Sequence, residues 1–159
     1  MRYCLFIIFI LHAISAGAQD AANKNSRVGF IAGPFLPSQI AGVNEILQVA
    51  GVRIGSNTKL GNFEGEGWIA NGGGVSYQSF AVNYRLEIPS EIIPVHALAG
   101  IHADAYRKAN ATSASGGGWQ LGGGVETRIA GPIMLGSDFE YRFGPGDSLL
   151  VLVSILCNF

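Results

Sequence analysis

Apolar and polar residues alternate one by one along most of this chain, and turn residues interrupt the alternation at short intervals. A period of two is the pattern of a β-strand whose two faces meet different surroundings. In the segment 132–143, odd positions are mostly apolar or aromatic, whereas the even positions 136–142 carry Gly, Asp, Glu and Arg. Eight such segments predict an all-β protein, with strands at 27–36, 48–57, 60–70, 75–88, 93–105, 118–129, 132–143 and 148–159.

The alternation does not by itself say which face of each strand points outward. A soluble barrel would turn the polar faces to water, and such a surface is usually about a quarter charged or more. Here charged residues make up only 13% of the chain, and they fall on polar faces in sets of opposite sign. Glu126 with Arg128 is one such set, and Asp138 with Glu140 and Arg142 is another. These sets favour a charged interior and an apolar wall that faces lipid.

The connections and the aromatic residues point the same way. Links near 57–59, 89–92 and 130–131 are short, and those near 37–47, 71–74, 106–117 and 144–147 are mostly longer and rich in Gly, Ser, Asn and Pro. Short turns at one end and longer loops at the other are typical of barrels in an outer membrane. Aromatic side chains also favour the membrane interface. Five of them stand near the longer links: Trp68, Tyr106, Trp119, Tyr141 and Phe143.

The N-terminus predicts export. Arg2 precedes the apolar run 5–11, and Ala16-Gly17-Ala18 provides the small residues of a signal-peptidase site. We expect cleavage after Ala18, because the apolar run is shorter than the roughly 20 residues that a membrane anchor needs. Residues 19–26 would then form a short N-terminal segment and 27–159 the barrel. Without Arg2, nine basic and eleven acidic residues remain and indicate no nucleic-acid partner, and Cys157 has no cysteine partner for a disulfide.

The predicted fold is therefore an eight-stranded, antiparallel, up-and-down transmembrane β-barrel. In a closed barrel every backbone N–H and C=O group can pair with a neighbouring strand, which is necessary in lipid because lipid offers no hydrogen-bonding partners. Eight strands enclose only enough room for side chains, so we expect a filled interior and no open pore. Each buried charge needs a partner there. The predicted interior network consists of Arg53, Glu64, Glu66, Arg85, Glu126, Arg128, Asp138, Glu140 and Arg142.

The last strand carries a resemblance to a known family. Val151, Val153, Ile155 and Cys157 alternate toward a terminal Phe159. This pattern resembles the C-terminal signal by which outer-membrane barrels are delivered to their assembly machinery. With the export signal and the eight strands, the chain is similar to the small OmpA/OmpX-type outer-membrane proteins. The resemblance implies an outer-membrane location, contact with membrane lipid and with the assembly machinery, a monomer, and a structural role or one exercised through surface loops.

Two patterns raise the alternative of an enzyme. His102 and Asp104 are about 7 Å apart along a strand and could hydrogen-bond near its outer end. Lipid A deacylases have a similar arrangement, but their serine stands two residues from the histidine, where this chain has Asp104. Gly146-Asp147-Ser148-Leu149 resembles a lipase motif, although no histidine follows it. His96 lies about 20 Å from His102, too far to share a metal. We therefore predict no catalytic residues, metal or cofactor. A lipid hydrolase and a periplasmic lipocalin-like carrier of an apolar ligand remain alternatives.

Overall fold

The computed structural model describes residues 26–38, 45–58, 60–90, 93–108, 113–144 and 146–159. The predicted signal peptide and the segment 19–25 lie outside these residues. The described chain forms eight antiparallel strands in one closed barrel, in which each strand pairs with its neighbours in sequence and β1 pairs with β8. The strands are β1 Ser26–Pro37, β2 Leu47–Thr58, β3 Gly61–Gly72, β4 Val75–Ile88, β5 Val95–Lys108, β6 Ala114–Ala130, β7 Ile133–Phe143 and β8 Ser148–Asn158. No described residue belongs to a helix long and apolar enough to span a membrane.

The closed eight-stranded fold is the one that the alternation predicts. The largest difference in bounds is at β6, which begins at Ala114 and not near residue 118. Its first residues pair with β5, Gly116 opposite Asp104 and Gly118 opposite His102. Because glycines have no side chains, this part of the strand shows no alternation of polar and apolar residues, and its sequence therefore predicts a loop.

The first and last described residues, Ser26 and Phe159, meet at one end of the barrel. We call it the terminal end; the β2–β3, β4–β5 and β6–β7 connections lie there, and the other four lie at the loop end. Backbone hydrogen bonds between Ser26 and Phe159 close the terminal end, with N–O distances of 3.1 and 2.9 Å. The contrast between short and long connections is weaker than predicted. The β3–β4 turn at the loop end is only Gly73-Gly74, whereas six residues, 89–94, separate β4 from β5 at the terminal end.

The strands turn their apolar faces outward and their charged faces inward. On the wall, Phe30 is 73% exposed, and Phe80, Ile101, Phe139 and Ile155 are also exposed. Inside, Arg53, Arg85 and Arg142 are among the largest fully buried side chains. Because successive residues of a strand point to opposite faces, the inward position of one charged residue determines the side on which almost every other residue of its strand lies. The arrangement is the reverse of a water-soluble barrel.

Candidate functional site

The polar part of the interior is centred on Arg53, on the inward face of β2. Its guanidinium lies 2.7 Å from a Glu66 oxygen and 3.2 Å from Glu140, is ion-paired with Asp138, and approaches Glu64 to 3.9 Å. These five side chains have no solvent exposure. One cation thus links carboxylates from β3 and β7, on opposite sides of the barrel. A pore along the axis would have to pass through this cluster.

A second group of ion pairs lies nearer the terminal end. The Arg85 guanidinium is 2.6 Å from Glu87, 2.7 Å from Glu126 and 3.3 Å from Glu64. Arg27 forms ion pairs with both Glu64 and Glu126, the latter at 3.3 Å. Glu64 is therefore shared by cations from three strands. This sharing connects the terminal group to the Arg53 cluster in one continuous network.

Toward the loop end the network passes through Arg142. Its guanidinium donates a 2.5 Å hydrogen bond to the Ser79 hydroxyl and lies 3.4 Å from Asp104. The same group is 3.8 Å from Glu140 and lies 4.8 Å from the ring centre of Trp68. An arginine over an aromatic face is attracted by the ring quadrupole. Arg142 thus joins the ionic part of the interior to an aromatic part.

The structure places eight of the nine predicted network residues together, and Arg128 is the exception. Arg128 has the parity of Glu126, but its side chain is exposed and forms no ion pair with any described residue. The reason is the length of the neighbouring strand. Pairing of β5 with β6 begins at Val95 opposite Val125, so the end of β6 extends past β5 and out of the enclosed space. The prediction of Arg128 as an interior partner is therefore wrong.

Sequence reasoning also left out residues that complete the network. Arg27, Glu87 and Gln120 share the inward parity of their strands and could have been found by it. His96 lies 2.6 Å from Asp138, and Gln120 donates hydrogen bonds of 2.8 Å to Asn83 and 3.2 Å to Glu140. Glycine makes room for these groups: a Cβ at Gly124 would overlap the Asp138 carboxylate.

An apolar and aromatic layer fills the interior toward the loop end, which the sequence did not reveal. Trp68 stacks on Tyr77, with ring centroids 5.4 Å apart, and Tyr77 stacks on Tyr106 at 6.2 Å. Phe35 packs against both Trp68 and Tyr77. The rest of the buried cluster is Ile31, Leu47, Val49, Ala70, Val75, Leu150 and Leu152.

The predicted aromatic belt on the wall needs a correction. Trp68 and Tyr106 point into the barrel, because Trp68 shares the parity of Glu64 and Glu66, and Tyr106 that of His102 and Asp104. Trp119 and Phe143 do lie on the wall, stacked with centroids 3.7 Å apart, and Tyr141 lies against Phe143. At the terminal end, Phe63 and Tyr84 form an edge-to-face pair on the wall.

The candidate catalytic groups are engaged in other contacts. His102 Nδ1 lies 2.8 Å from the Asp104 carboxylate, but Nε2 faces the Phe143 carbonyl oxygen at 3.3 Å. A general base would need that nitrogen next to a nucleophile. Ser79, a buried serine on the neighbouring strand β4, instead accepts a hydrogen bond from Arg142. In the part of the chain that the structure describes, neither His96 nor His102 is hydrogen-bonded to a serine, and no group of three or more His, Cys, Asp or Glu could hold a metal.

The motif 146–149 is a structural turn. Ser148 is buried at the start of β8. The Asp147 carboxylate accepts hydrogen bonds from the Tyr141 hydroxyl at 3.2 Å and the Gly144 backbone N–H at 3.4 Å. Its backbone carbonyl accepts two more from Ser38. These contacts tie the β7–β8 connection to the end of β1.

The C-terminal pattern lies along one side of β8. Val151, Val153, Ile155, Cys157 and Phe159 are all exposed on the outer wall, and the residues between them point inward. The pattern is thus displayed on the surface, where a partner could contact it. Recognition of these residues by an assembly machinery stays a prediction.

No protein-family model and no curated protein matches the sequence. Solved structures do resemble the fold. Neisserial surface protein A (NspA) has a TM-score of 0.70 at 10% identity, and the alignment covers 84% of this chain and 97% of that one. Ail, the attachment invasion locus protein of Yersinia pestis, has a TM-score of 0.56 at 10% identity, with 85% and 97% covered. At this identity the likeness establishes a shared fold, a small closed barrel of almost the same length.

Proposed function

We propose that this chain is an integral outer-membrane β-barrel protein with a structural role or a surface-loop interaction role, and that it conducts no solutes through its centre. The observation that supports this proposal is that the barrel has its charged faces inside and its apolar faces outside, the reverse of a water-soluble barrel. Charged side chains fill the part of the interior between the aromatic layer and the terminal end, and large apolar residues such as Phe30, Ile101 and Phe139 cover the wall. Water would make such a wall unfavourable at about 25 cal/mol per Å² of apolar surface, whereas lipid does not.

The aromatic residues on the wall support the same proposal. Trp119, Tyr141 and Phe143 stand near the loop end, and Phe63 and Tyr84 near the terminal end. Aromatic girdles at both interfaces with an apolar band between them are typical of transmembrane barrels. We place the terminal end toward the periplasm and the loop end outward, because the turns of outer-membrane barrels face the periplasm and their longer loops face outward. A surface role also agrees with the names of the two similar structures, one a surface protein and the other an attachment invasion locus protein.

Membrane fractionation tests the proposal directly. The full chain, expressed in a Gram-negative host, should be found in isolated outer membranes after cleavage of its first 18 residues. Closed barrels in membranes resist SDS, so we expect the unboiled protein to migrate differently from the boiled one. A soluble periplasmic protein without a heat-dependent shift would contradict the proposal and favour the carrier alternative. The mass of the mature protein reports whether cleavage follows Ala18.

The interior packing argues against the alternative of a lipid hydrolase. We expect lipid A in the host outer membrane to have the same acylation whether the cells express the wild-type protein or the His102→Ala variant. The reason is that His102 Nε2 faces a backbone carbonyl and Ser79 is held by Arg142. Mass spectrometry of extracted lipid A, with an empty-vector strain as the reference, gives the measurement. Deacylated lipid A that depends on the wild-type protein and disappears with His102→Ala would establish the hydrolase.

A further inference from the structure

Both ring nitrogens of His102 face oxygen atoms toward the loop end of the barrel. Nδ1 lies 2.8 Å from a carboxylate oxygen of Asp104, and Nε2 lies 3.3 Å from the backbone carbonyl oxygen of Phe143. We call these two contacts the His102 bridge. A carbonyl and an ionised carboxylate only accept hydrogen bonds, whereas a neutral imidazole carries a proton on one nitrogen and a lone pair on the other. A neutral ring would set a lone pair against one of the two oxygens, and an imidazolium ring, with a proton on each nitrogen, suits both.

The groups around the bridge favour an ionised Asp104. The Arg142 guanidinium on β7 lies 3.4 Å from this carboxylate, and the Tyr77 hydroxyl on β4 donates a hydrogen bond to it. Arg142 disfavours a second positive charge nearby, but the carboxylate is in contact with the ring and favours it. The remaining described neighbours bring no further cation: Tyr106 beside Tyr77, Glu140 beside Arg142, and Gly118 opposite His102.

The balance of interior charges also favours protonated histidines. Counted over the described residues and apart from the half-exposed Glu87, six carboxylates in the interior face four arginines. The carboxylates are Glu64, Glu66, Asp104, Glu126, Asp138 and Glu140, and the arginines are Arg27, Arg53, Arg85 and Arg142. His96 and His102 each contact one of the aspartates. Two protons would balance the interior, and imidazole takes up a proton at a higher pH than a carboxyl group does, so the histidines are the groups that bind them.

The two histidine–aspartate pairs differ in their access to water. The side chains of His96 and Asp138 have no solvent exposure, whereas the Asp104 side chain is 12% exposed. Water at the loop end can therefore exchange protons with the His102 bridge. Phe143 is the last residue of β7, and the β7–β8 connection that follows it lies at the loop end. The bridge thus ties the start of this connection to β5.

We propose that the His102 bridge is a pH-sensitive link that holds the β7–β8 connection. While the ring is an imidazolium, it joins the Asp104 carboxylate to the Phe143 carbonyl. As the pH rises, the ring gives its Nε2 proton to water and keeps the proton that faces Asp104, so a lone pair then faces the carbonyl. The link is thus present on the acid side and lost on the alkaline side, and the connection 144–147 gains mobility. The inference rests on the proposed function, because the loop end must face outward for the connection to meet the external pH.

The charge of the ring is measured by nitrogen NMR of the full barrel, folded in detergent and carrying isotope-labelled histidine. The pH runs from about 5 to about 8, a range that includes the value of about 6.5 at which an imidazole in water is half protonated. We expect protons on both nitrogens of His102 at the acid end and a lone pair on Nε2 at the alkaline end. The His102→Asn variant identifies the signal by its absence. A ring that is neutral at both ends of the range, as burial alone would make it, overturns the proposal.

The mobility of the connection is measured with a nitroxide spin label at Gly146→Cys, in a chain in which Cys157→Ser removes the other described thiol. We expect the ratio of mobile to immobile label to rise about tenfold between the acid and the alkaline end, as for loss of one hydrogen bond to a charged group. Adding His102→Asn should leave the label mobile at both ends, because asparagine does not titrate. The matched control is a label at Asn71→Cys, an exposed position at the loop end of β3, which should show no response to pH.

A response to pH that persists unchanged in His102→Asn, or that is equally large at Asn71→Cys, would show that the bridge does not hold the connection. Heat-dependent gel mobility of the same samples separates the two levels of inference. A barrel that shifts on boiling but whose label at Gly146→Cys ignores pH refutes the pH-sensitive link alone. A protein that never shifts on boiling refutes the proposed function.

Discussion

Replacing Arg53 with methionine is expected to lower the free energy of unfolding by about 3–5 kcal/mol. Arg53 is fully buried and contacts Glu66, Asp138 and Glu140, with Glu64 at 3.9 Å. Methionine keeps much of the volume but removes the charge, so the carboxylates lose their shared partner in a space without solvent. The cost of unpaired buried charges then exceeds the gain from removing a cation that was itself desolvated.

Urea unfolding of the protein in phospholipid vesicles, followed by the heat-dependent gel shift, measures this loss. Arg107→Met is the matched control, because it makes the same change at an exposed site that has no ion pair with any described residue. It should change the unfolding free energy by no more than about 0.5 kcal/mol. Adding Glu66→Gln to Arg53→Met should restore part of the stability by removing one of the unpaired carboxylates. Equal unfolding midpoints for the two arginine variants would show that the network does not hold the barrel together.

Truncating Trp68 to alanine is expected to cost about 3–5 kcal/mol, through a different mechanism. Trp68 is buried inside the barrel, stacked on Tyr77 and packed against Phe35, with the Arg142 guanidinium over its ring. The substitution removes the transfer energy of the indole and leaves a cavity that the surrounding strands cannot close. It also removes the cation–π contact, worth about 0.5–2 kcal/mol.

The other tryptophan provides the control. Trp119 is 50% exposed on the wall, where lipid chains can fill the space that alanine would leave. Trp119→Ala should therefore lose the transfer energy without the cavity cost and be less destabilising than Trp68→Ala. The same urea titration in vesicles compares the two variants. A larger loss for Trp119→Ala would contradict the interior position of Trp68.

Much of the fold follows from the sequence because the side of a strand residue is a local property. Parity along each strand put Glu64, Asp138 and Arg142 on one face and Phe139 and Ile155 on the other, and the structure agrees. Strand bounds follow for the same reason wherever side chains alternate, as in β4, predicted and observed at 75–88. The prediction missed the first residues of β6, 114–117, because the glycines there have no side chains to alternate.

The interior site follows from the sequence only in part. Its charged members could be predicted, but not their partners, since Arg53 and Asp138 are 85 residues apart and meet only across the closed barrel. Trp68 and Tyr106 were expected on the wall because aromatic side chains favour the membrane interface, although both have the parity of inward residues.

The sequence by itself determined the number of strands, their bounds to within a few residues and which residues share a face, because alternation is a property of neighbouring positions. Only the tertiary structure decided how far along the barrel each inward residue stands and which residues lie opposite it. Those properties depend on the register between strands and on where each neighbouring strand ends. Arg128 shows the difference: its parity is that of an interior residue, but β5 ends before reaching it, so it lies in the open.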